Sequence, residues 1–388
     1  MTRFDTIVLG LGALGSATLQ ELSRRGQRVL GIDRFDPPHR MGSSHGGTRI
    51  TRVAIGEGEH LAPLAARSHI LWREIEAATG TELMTLNGLL VISSPAKTSF
   101  THVEDFFANT LAAAERFGVP HELLDTGALR ARFPQFRVSD AEVGYFEPAA
   151  GFLRPEACVA AQLSLARKQG AILRTGETAT HFASSPHEVE VTTDKGTYVA
   201  DRLILTAGPW LPELLGPPFA KLFRIIRQVQ FWFAPAADAA AFGPADFPTF
   251  IWELSGRSQA IYGFPALDSD GVKVASEQYH TTTSPAAVSR DVEAQEAVSM
   301  HRDYVEAFLP DVSAACRRAE ACLYTVTPDF GFVVDRHPDS ERVMVASCCS
   351  GHGFKHSAAL GEALAELATQ GRSDLDLAPF ALARFHRS

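Results

Sequence analysis

Two glycine-rich loops near opposite ends of the 388-residue chain each deliver cations. The first, Gly42-Ser43-Ser44-His45-Gly46-Gly47-Thr48-Arg49-Ile50-Thr51-Arg52, ends in two arginines three residues apart. If 49–52 forms a turn of helix, the two guanidinium groups share a face. The second, Ser350-Gly351-His352-Gly353-Phe354-Lys355, sets a lysine at the start of a helical pattern. A cation there opposes the helix dipole, so an anionic ligand explains it better than stability does, with a solvated lysine as the competing reading. An arbitrary pair of arginines is, by itself, a pair of surface charges.

A third motif names a class of ligand. Gly10-Leu11-Gly12-Ala13-Leu14-Gly15 lies between a strand-like and a helix-like segment, where glycines admit a pyrophosphate to the backbone and the helix start faces its charge. Asp33 ends the next apolar run, placed to accept hydrogen bonds from an adenosine ribose, with Arg34 beside it. FAD and NAD present the same ADP half to such a turn, so the motif alone does not choose between them.

The elements that must position these residues follow from periodicity. Residues 4–9 read as a buried strand, 13–25 as a helix and 27–33 as a second strand, a βαβ start. Helical spacing recurs over 61–78, 102–117, 154–170 and 288–308, and a last helix spans about 354–371. Strand patterns cover 87–94, 188–193, 199–206, 223–234, 251–253, 261–264, 272–275, 323–327, 332–335 and 343–346. The middle strands alternate and suggest an antiparallel sheet, while the last elements return beside the first.

The expected fold is therefore α/β and α+β, a Rossmann-like nucleotide-binding domain interwoven with a domain on a mostly antiparallel sheet. The division is 1–80, 148–215 and 322–388 for the first, 81–147 and 216–321 for the second.

A formal charge of −9 argues against nucleic acid or an anionic membrane as partner. The apolar runs are strand-length, well short of the roughly 20 residues of a membrane span. A strand pattern beginning at residue 4 leaves no room for a secretory signal, so the cytoplasm is the expected location. Cys158, Cys316, Cys322, Cys348 and Cys349 show no metal-ligand spacing and no disulfide framework, and no metal is expected.

These motifs, together with Phe35-Asp36-Pro37-Pro38-His39, Tyr262-Gly263-Phe264-Pro265 and Cys322-Leu323-Tyr324-Thr325, stand in an order and spacing that resembles the monomeric sarcosine oxidase and N-methyltryptophan oxidase family. The likeness runs from Phe4 to the end of the chain. It implies FAD, bound by Gly10, Gly12, Ala13, Leu14, Gly15, Asp33 and Arg34, by Ser43, Thr48 and Arg49, and by Gly351, Gly353, Phe354 and Lys355. The flavin would be attached through a thioether to Cys322.

The resemblance also implies that Arg52 and Lys355 clamp the substrate carboxylate. That agrees with the planar bidentate match of guanidinium to carboxylate and the point charge of an ammonium. Lys273 matches a lysine that activates oxygen near the flavin, where a fixed cation stabilises developing negative charge. Arg49 and His45 match residues close to the flavin ring, and Tyr262 and Tyr324 match aromatic residues of the substrate cavity. The implied reaction oxidises a small carboxylate-bearing secondary amine, with oxygen as acceptor and hydrogen peroxide as product, in a monomeric enzyme; the rival readings are an amine dehydrogenase with another electron acceptor and a flavin-binding subunit without catalysis.

The sequence departs from the family pattern in three places. Glu277 stands where sarcosine oxidases have a histidine, Ser44 replaces one of two paired histidines, and Ile251 stands in place of a methionine. Glu277 is either a solvated strand-end carboxylate or a pocket group that selects an amine or hydroxyl on a larger substrate.

Overall fold

A computed structural model describes residues 3–386 apart from 218 and 237. Strand Arg3–Leu9 lies inside an eight-stranded sheet, parallel to Val29–Ile32 on one side and to Thr197–Leu205 on the other. Its side chains alternate between two cores. Val8 joins Ile204 and Met344 under helices Ala13–Arg24, Pro155–Lys168 and Ser357–Gln370, whereas Ile7 and Leu9 join Leu203 and Leu205 on the opposite face. The helix layer is tight: a Cβ on Gly361 would stand 2.4 Å from the Cβ of Ala17.

A nine-stranded sheet carries the rest. Arg224–Pro235 and Val312–Val326 form its longest ladder, antiparallel, and Val272–Ser276, Ile261–Phe264 and Thr249–Trp252 continue it antiparallel. Thr249–Trp252 then pairs in parallel with Leu89–Ser93, the exception in a mostly antiparallel array. One face packs on an aromatic core in which Phe136 stacks on Phe247 with centroids 4.9 Å apart. A small antiparallel sheet of Arg49–Thr51, Gly151–Leu153 and Met84–Thr85 completes the architecture.

Four elements differ from the sequence expectation. Residues 49–51 are a strand, not a turn of helix. The helix expected over 102–117 begins only at Phe106, after Asp105 with φ 51°, so His102 lies in a loop. The helix expected over 288–308 starts at Ala294 because Glu293 and Glu296 form a capping box there, and it ends in a π turn over His301–Val305. Finally, 323–327 is the end of a fifteen-residue strand, and residue 322 lies inside that strand.

Candidate functional site

One cleft runs from the Gly10–Gly15 turn, between the two large sheets, to Tyr262, Glu277 and Tyr324. At the turn, Gly10 has φ +89°, and a Cβ there would lie 2.6 Å from the Thr206 carbonyl oxygen. A Cβ on Gly15 would lie 1.7 Å from the Gly10 oxygen, so this glycine serves the close packing of helix on strand. Gly12, Ala13 and Leu14 line the cleft at the start of helix Ala13–Arg24, whose N-cap Gly12 offers no side-chain cap; Ser44 Oγ accepts from Ala13 N–H at 3.1 Å. Asp33 and Arg34 line the same end, and the Asp33 carboxylate accepts from Leu11 N–H at 2.7 Å and Phe35 N–H at 2.8 Å. A helix start whose N-cap residue is a glycine, close-packed glycines at the turn and a carboxylate at the strand end fit the ADP half of FAD.

The first cationic loop is pinned from both sides. Glu156 accepts from the amides of Gly46 at 2.7 Å and Gly47 at 3.2 Å. Lys273, 2% exposed, donates to Gly46 O at 2.8 Å, Thr48 O at 3.0 Å and Thr48 Oγ1 at 3.1 Å, with its ammonium 4.7 Å from the Phe264 ring centroid. Burial, and then the nearby Arg49, push this ammonium well below its ordinary pKa. Arg49 lines the cleft, donating to Thr48 O at 2.8 Å and to Ser43 O at 2.7 Å, and Ser43 lines it as well.

His45 is buried, with Nδ1 3.3 Å from Glu320 Oε2. Burial lowers the imidazole pKa against the opposing pull of Glu320, so the positive charge on this side comes from Arg49. Burial also raises the Glu320 carboxyl, but bonds from His45 and Arg318 outweigh it and bring it down to about 2.

At the far end of the cleft, Arg52 and Lys355 meet over a third residue. Glu57 Oε2 pairs with Arg52 Nη2, and Glu57 Oε1 lies 3.2 Å from Lys355 Nζ, which also donates to His352 O at 2.9 Å. Burial disfavours the Glu57 carboxylate, yet Arg52 and Lys355 together hold its pKa well below the usual range. Burial lowers Lys355, and Glu57 opposes that shift. Arg52 is 1% exposed, and its Nε and Nη1 have no hydrogen-bond partner among the described residues. Unpaired buried donors on a cation are costly unless a ligand meets them.

Cys322 lies buried in strand Val312–Val326, its Sγ accepting from Gln230 Nε2 at 3.2 Å, and its neighbour on the same face, Tyr324, lines the cleft. Tyr262, Ile251, Gly351, Gly353 and Phe354 line the cleft, and burial raises the hydroxyl pKa of both Tyr262 and Tyr324. Gly15, His45, Thr48, Lys273 and Cys322 stand behind the wall that the other expected residues form.

Sequence reasoning missed Glu57, His102, Tyr279 and Gln230. Glu57 had a weak signal, a carboxylate flanked by Gly56 and Gly58 five residues after Arg52. Among the described residues no group of three or more His, Cys, Asp or Glu is arranged to hold a metal ion, and no helix is long and apolar enough to cross a membrane.

Comparison with known proteins gives concordant results. The family described as FAD dependent oxidoreductase matches residues 5–367. A monomeric sarcosine oxidase of Streptomyces avermitilis is 40% identical over 95% of this chain and 94% of its own length. An N-methyl-L-tryptophan oxidase of Yersinia pestis is 36% identical over 98% and 99%. Among solved structures, a mutant of NikD, an unusual amino acid oxidase essential for nikkomycin biosynthesis, superposes with TM-score 0.85 at 25% identity over 98% of this chain and 97% of that one. The L-proline dehydrogenase of P. horikoshii has the same fold, with TM-score 0.82 at 21% identity over 99% and 98%. The chain belongs to the FAD dependent oxidoreductase family and, within it, to the group of the sarcosine and N-methyl-L-tryptophan oxidases.

Proposed function

We propose that the protein is an FAD-dependent oxidase of a secondary amino acid or a related carboxylate-bearing amine. The observation that carries this reading is Arg52, buried with two unpartnered guanidinium nitrogens beside Lys355, in the same cleft as the dinucleotide turn. Names of the relatives, a sarcosine oxidase and an N-methyl-L-tryptophan oxidase, point to the same class of substrate.

When bound, FAD supplies the two-electron acceptor that the amine requires and that oxygen restores. Arg52, through its open Nε and Nη1, and Lys355 orient the substrate through its carboxylate, in competition with Glu57. A local excess of cations favours the neutral amine, the form with a lone pair to donate. Tyr262 and Tyr324 wall the site against water. The product imine takes up water, so an N-methyl substrate yields formaldehyde and a primary amino acid, while a cyclic one yields a cyclic imine. Lys273, held by the Gly46 and Thr48 carbonyls, offers N–H donors and, when protonated, a positive charge where oxygen is reduced to hydrogen peroxide.

Cys322, whose sulfur the Gln230 amide holds in place, would carry the FAD through a thioether. Segments 1–80, 148–215 and 322–388 bind the cofactor, and 81–147 with 216–321 shape the substrate pocket. The enzyme works as a monomer, as the relative's name suggests, in the cytoplasm, where its free thiols stay reduced. A peroxide assay of the yellow protein against sarcosine, other N-methyl amino acids, proline and pipecolate tests the reading. Peroxide from one of them supports it, flavin bleaching without peroxide assigns another electron acceptor, and a colourless protein overturns it.

A further inference from the structure

Glu277 follows strand Val272–Ser276 and lines the same cleft as Arg52 and Lys355. Its Oε2 accepts from the Tyr279 hydroxyl at 3.2 Å and lies 3.3 Å from His102 Nδ1, and Tyr279 Oη is itself 3.1 Å from that nitrogen. His102 and Tyr279 are buried, so the carboxylate is held from behind by two polar supports. These contacts use Oε2 alone and leave Oε1 without a hydrogen-bond partner among the described residues.

A second unmet group stands beside it. His102 Nε2 is buried and has no partner among the described residues, and His102 also lines the cleft. Its ring is stacked on His352, with centroids 5.0 Å apart and planes 9° from parallel, so it cannot turn freely to find one. With the proton on Nδ1, directed at Glu277, Nε2 is an acceptor. The part of the cleft lined by Glu277 and His102 therefore offers two acceptors, one of them on a carboxylate. A solvated strand-end glutamate would not be gripped in this way.

We propose that Glu277, positioned by His102 and Tyr279, is a subsite for a second hydrogen-bond-donating group, so that the preferred substrates are secondary amino acids with an ammonium or hydroxyl group on the side chain or ring. The inference rests on the amine-oxidase reading and adds a specificity to it. A site with a buried acceptor such as His102 Nε2 rejects the analogue that lacks the donor, because that acceptor is then left unpaired.

Two matched pairs test it on the FAD-loaded protein: N-methyl-lysine against N-methyl-norleucine, and 4-hydroxyproline against proline. The expected result is a kcat/KM at least ~10-fold higher for the donor-bearing member of a pair, expressed mainly in KM. The lysine pair reports a preference for a cation and the proline pair one for a hydroxyl. E277L, which removes both acceptor oxygens, should shrink the ratio within the responding pair by ~10-fold, and His102→Phe, which keeps the ring stack, should shrink it in the same direction. Equal kcat/KM values within both pairs in the unmodified protein would overturn the inference while leaving the amine-oxidase reading intact, and so would a ratio that survives E277L. If none of these four, nor sarcosine or pipecolate, bleaches the flavin without oxygen, the amine-oxidase reading itself falls, and this one with it.

Discussion

Glu57 Oε1 lies 3.2 Å from the ammonium of Lys355, with both side chains about 95% buried, although 298 positions separate them in the chain. The same carboxylate pairs with Arg52 through its other oxygen, so an internal anion competes for both cations that are proposed to hold a substrate carboxylate.

Glu57→Gln removes that competitor and leaves two buried cations under-neutralised. Affinity for a simple carboxylate ligand should rise roughly tenfold. Stability should fall by about 3–5 kcal/mol, the usual cost of breaking a buried ionic set. Titration of flavin absorbance with acetate and a urea melt read the two effects, and an unchanged acetate affinity would remove Glu57 from the binding site.

Lys273→Met should slow flavin reoxidation by oxygen ~100-fold or more while slowing reduction by substrate far less. Stopped-flow traces of the two half-reactions separate them. Equal slowing would mean that Lys273 acts by holding the Gly46–Thr48 loop and not on oxygen.

Cys322→Ser should yield a protein that binds FAD yet releases all yellow colour into the supernatant on acid precipitation, whereas the unmodified protein keeps the colour in the pellet. Colour lost from both would show that no thioether forms.

Gly15→Ala places a methyl group 1.7 Å from the Gly10 carbonyl oxygen, a clash with backbone and not with a movable side chain. The expected cost is about 3 kcal/mol or more, together with loss of bound FAD. A variant with normal melting temperature and full flavin content would refute the close-packing role.

Glu320 has its pKa depressed to about 2 from 4.5, so it contributes stability above about pH 4.5 and loses that contribution as pH falls toward 2. The melting temperatures of the protein and of Glu320→Gln should differ most at neutral pH and converge in acid. A gap that stays constant between pH 7 and pH 3 would contradict the ionic role of this group.

How far the molecule could be read from its sequence depended on how local the determining interaction is. The Gly10–Gly15 turn, the flanking strands and the helix before Gly371 were legible, because each rests on neighbours a few residues away. Residues 312–322 were not, since the strand there carries partly exposed Arg317 and Arg318 and is held by its ladder to Arg224–Pro235. Arg49–Thr51 is a strand only because Gly151–Leu153 comes alongside. Within the site, the cations announced themselves through their glycine loops. Glu57 reads as a loop carboxylate and His102 as the first residue of a helix, until tertiary contacts bring them to Lys355 and Glu277.

The Gly46–Thr48 loop has the composition of a flexible linker, yet Glu156 takes its amides and Lys273 its carbonyls. Its exchange with deuterated solvent should therefore follow the elements that supply those charges, helix Pro155–Lys168 and strand Val272–Ser276, rather than the fast rate of an open glycine loop. Arg49 would then keep its place before any cofactor arrives, as part of a preassembled floor onto which the flavin settles.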